Sequence, residues 1–492
     1  MNDIVRVIFA LWAVRIGANV LTYIHLWFVK EYRFDRMMVH LKTKQGKRIL
    51  FAPLRIPPLS PKTVIIFVLS LSMLLFLLVR INVNIYLRYL VTDLLTFPTT
   101  ALFVELVNLP TRIYHRMIIG RALHMLMSHT KLRVIGVTGS YGKTSTKEFM
   151  AAVLGAQFRV LKTEASKNSP IGIAETVIKN LTEDHTVFIV EMGAYKRGEI
   201  ASMTRMVRPE IGLVTAINAQ HQDLFGTLDT TMKAKYELIQ GLPHNGIAVM
   251  NADDPLVRTM GEWAKRDGKA VWWYSMHQPH AENRERTMWA SDIRAADGRL
   301  SFVCHLGKHE GAVSVSLLGA HQAGNVLAAI AGAVACGMPF ERALEATTRA
   351  IHPIPKVMEP VKGTNGALFI DDTFNNNPDA ARAALAFLEK TKGRKIFVFQ
   401  PMIELGAYTD SSHEEIGEYA ASVCDDIILT NGNFLDAFRR GVMRIHPDKE
   451  IRVMGAREAA RFIEQTVTRN DTVVFKGKEA ERILNRLTTR RV

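Results

Sequence analysis

The chain has 492 residues, 48% of them hydrophobic and 22% charged, and its 62 Lys and Arg against 47 Asp and Glu give a formal net charge of +15. That length is too great for one ordinary core and predicts two or three domains. Residues 1–130 hold 16 Lys and Arg against 5 Asp and Glu, so +11 of the charge lies at one end, which favours anionic lipid over nucleic acid as the partner. Three widely spaced cysteines (Cys304, Cys336, Cys424) without a CxxC pair argue against a disulfide framework or a cysteine zinc site and fit a reducing compartment.

Three stretches of the basic end are apolar enough to span a membrane. The clearest, Val64–Val79, runs sixteen residues without a charge between Lys62 and Arg80. A second covers 7–29 and contains Arg15 and His25. A third covers 89–109 and contains Asp93, Pro98 and Glu105. Arg15 breaks the first stretch and no small-residue cleavage site follows it, so a cleavable signal peptide fits poorly. The loop from Lys30 to Lys62 also carries Arg33, Arg36, Lys42, Lys44, Lys47, Arg48 and Arg55, and so basic a short loop is expected on the cytoplasmic side. Arg112, Arg116 and Arg121 follow the third span, which puts everything after residue 110 in the cytoplasm. The expectation is a multi-pass protein of the cell membrane with two to three transmembrane helices.

Residues 132–137 are short, apolar and β-rich and read as a buried strand. Thr138-Gly139-Ser140-Tyr141-Gly142-Lys143-Thr144-Ser145 follows, and Lys147 to Leu154 reads as a helix. Strand, glycine-rich turn and helix are the context of a phosphate loop, in which backbone N–H groups approach phosphate oxygens, Lys143 reaches the outer phosphates and the Thr144 hydroxyl can ligate Mg²⁺. Val137 stands where the generic pattern has its first glycine. Residues 186–190 form another apolar strand leading to Glu191, and a carboxylate there is well placed for a metal. Residues 211–217 read as a strand followed by His221, with Lys235 on a helix beyond it. Asn251 and Asp253 sit in NADDP, which also suits a turn and helix cap, and His321 and Asn325 open an alanine-rich helix.

Several segments occur in one order: TGSYGKTST, NSPIGIAETV (168–177), EMGAYKRGEIA (191–201), HQDLFGTLDTTMKAKYEL (221–238), NADDP (251–255), GAHQAGNVLAA (319–329), DDTFNNNPDA (371–380) and ELGAYTDSSHEEIG (404–417). Together they resemble the Mur ligase family over 133–487, within it the branch that adds D-alanyl-D-alanine to a muramoyl peptide in peptidoglycan synthesis. The resemblance implies ATP and two Mg²⁺ sites. It makes Thr144 and Glu191 ligands of one ion and His221 a ligand of the second. It implies that Lys235 is carbamylated and serves that second ion, with Lys143, His221 and Lys235 forming the catalytic set. It puts Asn251, His321 and Asn325 around the nucleotide and Asp372 on ATP or its ribose, while Asn375 and Asn377 complete the closed site. The family's reaction phosphorylates a carboxylate with ATP and lets an amine attack the acyl phosphate, so no side-chain nucleophile is needed.

Short strands at 367–370, 396–399, 426–429 and 473–475, separated by helical stretches, predict a second, Rossmann-like layer. Two departures stand out. Lys356-Val357 replaces the family's Gly-Arg before Met358-Glu359, and Lys476-Gly477-Lys478-Glu479 replaces Lys-Gly-Ser-Arg. The expected architecture is α/β: transmembrane helices over 1–130, a phosphate-loop central ATP-binding domain over 131–355 and a Rossmann-like C-terminal domain over 356–492. The family's N-terminal uridine-binding domain has no counterpart, since the membrane region stands in its place. The acceptor is therefore either a soluble nucleotide-linked precursor or a lipid-linked one. A ligase building a γ-linked amino-acid polymer and a nucleotide-sensing membrane scaffold are the competing readings.

Overall fold

The computed structural model describes residues 3–42, 54–164, 167–218, 220, 222–279 and 285–488. The expected second-metal ligand His221 lies outside them, as do Lys44, Lys47 and Arg48 of the basic loop. The chain divides into two compact units, 1–120 and 121–492.

The first unit is helical, with α1 (Asp3–Val29), α2 (Phe34–Lys42), α3 (Pro61–Arg80) and most of α4 (Ile85–Ser128). Three helices are long and apolar enough to cross a membrane, within Arg6–Val29, Pro61–Arg80 and Ile85–Ser128. The third runs well past the expected 89–109, through Pro98 and Pro110. Helix α3 starts sharply because Ser60 and Thr63 form a reciprocal capping box ahead of Pro61. One polar cluster links two of these helices. Asp93 accepts hydrogen bonds from Trp12 Nε1 (3.2 Å), Arg15 Nε (3.1 Å) and Asn19 Nδ2 (3.0 Å), which ties α4 to α1.

The second unit carries two sheets. The first contains β1 (Arg133–Thr138), β2 (Val160–Lys162), β3 (Val187–Glu191), β4 (Ile211–Val214), β5 (Ile247–Asn251), β6 (Ala270–Ser275), β7 (Thr287–Ala296), β8 (Arg299–Leu306) and β9 (His309–Val315). Their order is β2-β3-β1-β4-β5-β6-β7-β8-β9. The pairs are parallel as far as β7, and β8 and β9 continue antiparallel as a meander that the sequence reading did not anticipate. Helix α5 (Lys143–Leu154) and the helix Gln322–Ala335 pack over this sheet around a core that includes Val137, Phe149, Met150, Leu213 and Ile330.

The second sheet contains β10 (Glu359–Lys362), β11 (Leu368–Asp372), β12 (Lys395–Phe399), β13 (Asp426–Leu429), β14 (Ile451–Val453) and β15 (Thr472–Lys476), in the order β10-β11-β15-β12-β13-β14. Only the β10–β11 pair is antiparallel. Near-continuous apolar strands covered by helices on both faces are the mark of a parallel α/β sheet.

The topology fixes where a site can form. Strand β1 lies between β3 and β4, so the chain leaves β1 towards both sides of the sheet. At such a reversal the loops after the strands diverge and leave a crevice at their carboxyl ends. Thr138, Glu191 and Val214 end the three strands that meet there.

Candidate active site

The loop from Thr138 to Gly142 is held by its neighbours. The Thr138 hydroxyl donates to the Met192 carbonyl (2.9 Å), the Ser140 N–H donates to the Ala216 carbonyl (2.6 Å), and the Asn218 N–H donates to Ser140 Oγ (3.1 Å). The Thr215 hydroxyl donates to the Tyr141 carbonyl. Gly139 and Gly142 both have positive φ (150° and 78°). A Cβ at Gly139 would lie 1.9 Å from Thr215 Oγ1, and one at Gly142 would lie 2.7 Å from Asn325 Oδ1. Only glycine fits either position. The first bond of α5 runs from the Thr146 N–H to the Gly142 carbonyl at 2.9 Å. The amides before it lack helical partners and, with the helix dipole, form a cradle for an anion. Ser145 is buried in that first turn.

Lys143 Nζ donates to the carbonyls of Gly139 (2.8 Å) and Ser140 (2.9 Å), so the ammonium lies beneath its own loop. Burial pushes this ammonium below its ordinary pKa, and Glu191 partly offsets the effect. The Thr144 hydroxyl donates to Glu191 Oε2 at 3.0 Å, which joins residues 47 positions apart. Glu191 is buried, its Oε1 accepts from Asn168 Nδ2 (3.2 Å), and its own N–H donates to Thr163 Oγ1 (3.0 Å). A hydroxyl and a carboxylate joined beside an anion cradle form a hard oxygen set that suits Mg²⁺. The described residues hold no group of three or more His, Cys, Asp and Glu that could bind a metal by themselves.

Lys235 lies on the helix Leu228–Gln240 and is buried. Its ammonium lies 5.9 Å from the centroid of the Phe225 ring. No carboxylate pairs with it among the described residues. Burial first, and then the charge of Lys143, push its pKa well below the ordinary lysine value. A lysine in such a setting is held towards its neutral, nucleophilic form.

Asn251, at the end of β5, donates from Nδ2 to the Thr215 carbonyl (2.8 Å) and accepts the Asp253 N–H (2.9 Å). It thus braces the segment behind the phosphate loop. His321 and Asn325 lie one turn apart at the start of their helix, and Asn325 Nδ2 donates to Gln322 Oε1 (2.9 Å). The His321 imidazole is depressed to about 4, mainly by burial, with Asp372 opposing the shift and Lys476 adding to it. Asp372 is thereby brought near the central sheet, but its carboxylate is engaged: Lys476 Nζ donates to Oδ2 at 2.6 Å and the Met358 N–H to Oδ1 at 3.3 Å.

The two departures resolve into local contacts. Lys356 is exposed and pairs with Glu481 at 2.8 Å, a contact that raises its pKa. Lys478 is exposed at the start of the last helix. The neighbouring Glu479 accepts from Thr430 Oγ1 (2.7 Å) and Asn431 Nδ2 (2.6 Å). Asn377 caps the helix Pro378–Glu389 through the Ala380 N–H at 3.0 Å. From the end of the central sheet, Asn218 Nδ2 donates to Asp379 Oδ2 at 2.6 Å, so the two lobes of this unit meet directly at the site. The sequence reading gave no role to Lys147, Asn168, Thr215 or Asn218. For Lys147 a signal existed, because it follows Lys143 by four residues and so shares its helix face.

Two family models match the chain: the Mur ligase middle domain over residues 137–333 and the Mur ligase glutamate ligase domain over 358–479. The UDP-N-acetylmuramoyl-tripeptide–D-alanyl-D-alanine ligase of Escherichia coli K12 is 33% identical over 318 residues, which is 64% of this chain and 68% of that protein. The Mycobacterium bovis enzyme of the same name is 32% identical over 63% of this chain, and the chain spans only 61% of its length. Among solved structures, MurF from Acinetobacter baumannii superposes with a TM-score of 0.68 at 25% identity, over 76% of this chain and 80% of that one. MurF from Thermotoga maritima in complex with ADP shares the fold, with a TM-score of 0.66 at 22% identity over 75% of this chain and 82% of that one.

Proposed function

The chain belongs to the Mur ligase family, and from that premise we propose that it is an ATP-dependent ligase of peptidoglycan precursor synthesis that joins D-alanyl-D-alanine to a muramoyl-peptide carboxylate through an acyl phosphate. One observation carries the reading: the glycine cradle and the Thr144–Glu191 pair meet at the carboxyl ends of three adjoining strands, with the buried Lys235 within reach of the charge on Lys143.

In this reading the α5 amides and Lys143 would hold the ATP phosphates, and Thr144 with Glu191 would hold a magnesium ion. Bound there, the ion would neutralise charge on the phosphate oxygens. Lys235, its amine held towards the neutral form, adds to carbon dioxide through a new N–C bond and gives up one proton to solvent, which would leave an anionic carbamate whose oxygens can serve a cation. His221 would join it in holding a second ion. Asn251, His321 and Asn325 line the nucleotide, and Asp372, fixed by Lys476, orients the ribose side. The Asn218–Asp379 bond helps to hold the two lobes together while the acyl phosphate is shielded from water. The domain boundaries that go with this reading are 1–130, 131–355 and 356–492. The amine is D-alanyl-D-alanine, and the first helices anchor the protein in the cell membrane with both catalytic lobes in the cytoplasm.

The acceptor admits a second reading. The matched regions leave the three apolar helices unaccounted for, and these suit an enzyme that meets a lipid-linked muramoyl peptide at the bilayer. The soluble nucleotide-linked acceptor remains the first choice because DDTFNNNPDA and the 404–417 segment follow the D-alanyl-D-alanine-adding branch. Phosphate release in detergent, with D-alanyl-D-alanine and either UDP-muramoyl-tripeptide or its lipid-linked counterpart, tests both. Release with neither acceptor overturns the ligase reading and favours a nucleotide-binding scaffold.

A further inference from the structure

Helix α5 carries a second lysine, one turn beyond the phosphate-loop lysine. Lys147 is fully buried, and its ammonium lies 3.4 Å from Glu191 Oε2 and 3.2 Å from Glu148 Oε1. Glu148, at the edge of the buried region, also pairs with Lys162 of β2. Lys162, Glu148, Lys147 and Glu191 thus form a row of alternating charge that runs from a partly exposed lysine to the buried carboxylate.

Both oxygens of Glu191 are engaged by neighbouring side chains. Oε2 takes the Thr144 hydroxyl at 3.0 Å and the Lys147 ammonium at 3.4 Å, and Oε1 takes Asn168 Nδ2 at 3.2 Å. A buried carboxylate without a counter-charge is strongly unfavourable and would seek any available cation. Lys147 supplies that charge. Because Lys147 also contacts Glu148, the ammonium can stay there while Glu191 Oε2 turns to another cation.

We propose that Lys147 is a positioning residue that acts as the resident counter-cation of Glu191 and keeps this carboxylate from capturing a divalent ion before the nucleotide phosphates arrive. The inference rests on the reading of Glu191 as a metal ligand. It assigns to Lys147 the order of binding, with the metal entering together with ATP.

The test uses the full-length protein in detergent and follows Mn²⁺ binding without nucleotide through the electron paramagnetic resonance signal of the free ion. Lys147→Met should bind Mn²⁺ at least about tenfold more tightly than the unsubstituted protein, since removing one partner leaves an uncompensated buried charge. Lys147→Arg should behave like the unsubstituted protein, and adding Glu191→Gln to Lys147→Met should abolish the gain. A purely structural lysine would change thermal unfolding but not this affinity. Should Lys147→Met fail to fold, Lys147→Gln keeps a chain of similar length and is measured in its place. Nucleotide-free Mn²⁺ affinity unchanged in a folded, uncharged variant overturns the proposal. An unaltered Mg²⁺ dependence of phosphate release in Glu191→Gln alone instead removes the metal-ligand reading, and this inference with it.

Discussion

Lys476 Nζ donates to Asp372 Oδ2 at 2.6 Å, and the two residues lie opposite each other in register on the parallel strands β11 and β15. They are 104 positions apart in sequence, and both side chains are buried. Removing only the ammonium leaves a buried carboxylate without a partner. Lys476→Met should therefore destabilise the C-terminal lobe by about 3–5 kcal/mol, and adding Asp372→Asn should recover part of that loss. Thermal unfolding of the two variants checks this, and equal stability of Lys476→Met and the unsubstituted protein would contradict it.

A Cβ at residue 142 would meet Asn325 Oδ1 at 2.7 Å on a backbone with φ of 78°. Gly142→Ala should therefore distort the cradle at a cost of about 1–3 kcal/mol. ADP affinity by calorimetry should fall by at least about tenfold, since each 1.4 kcal/mol is one decade. Unchanged affinity would mean that the loop is not the phosphate site.

Lys235 is buried beside another lysine, and its amine is displaced towards the neutral form. Lys235→Ala should lower phosphate release by about 10²–10³-fold, the scale of losing one electrostatic element in a closed site. Acetate or propionate should restore part of the rate, and ¹³C-bicarbonate should give a carbamate signal in the unsubstituted protein that the variant lacks. Full activity of the variant without added carboxylate would exclude the carbamate role.

The His321 imidazole titrates near 4 in the folded protein against 6.5 when free. Below 6.5 the unfolded chain therefore takes up a proton that the native state refuses. The stabilising effect is complete above pH 6.5 and is lost as the pH falls towards 4. Between pH 7 and 5 this should cost about 1–2 kcal/mol. His321→Gln should lose less stability over that interval. Parallel melting-temperature profiles for the two proteins would refute the linkage.

The strand, glycine turn and helix around 133–154, the strand that ends in Glu191 and the order of the two lobes were legible in the sequence because each depends on local pattern. Glycines at 139 and 142 ahead of a helix, and apolar strands ending in polar residues, are written into short windows. Boundaries shifted by a few residues: strand β3 runs on to Glu191, and helix α5 starts at Lys143. The meander β7–β9 was not read, since these strands bury one face only, and alternating positions give no continuous apolar run.

By itself the sequence determined the chemistry available: a phosphate loop, an acidic strand end, a lysine-bearing helix and a basic apolar N-terminus. Only the tertiary structure decided which of these groups share one site. The β3–β1–β4 order brings Glu191 to Thr144, and the β11–β15 register sets Lys476 on Asp372. Helix packing buries Lys147 against Glu191 and Lys235 within reach of the charge on Lys143. The reason is physical. Charges decades of residues apart in the chain interact strongly only after strand pairing has closed the distance and burial has removed the water that would screen them.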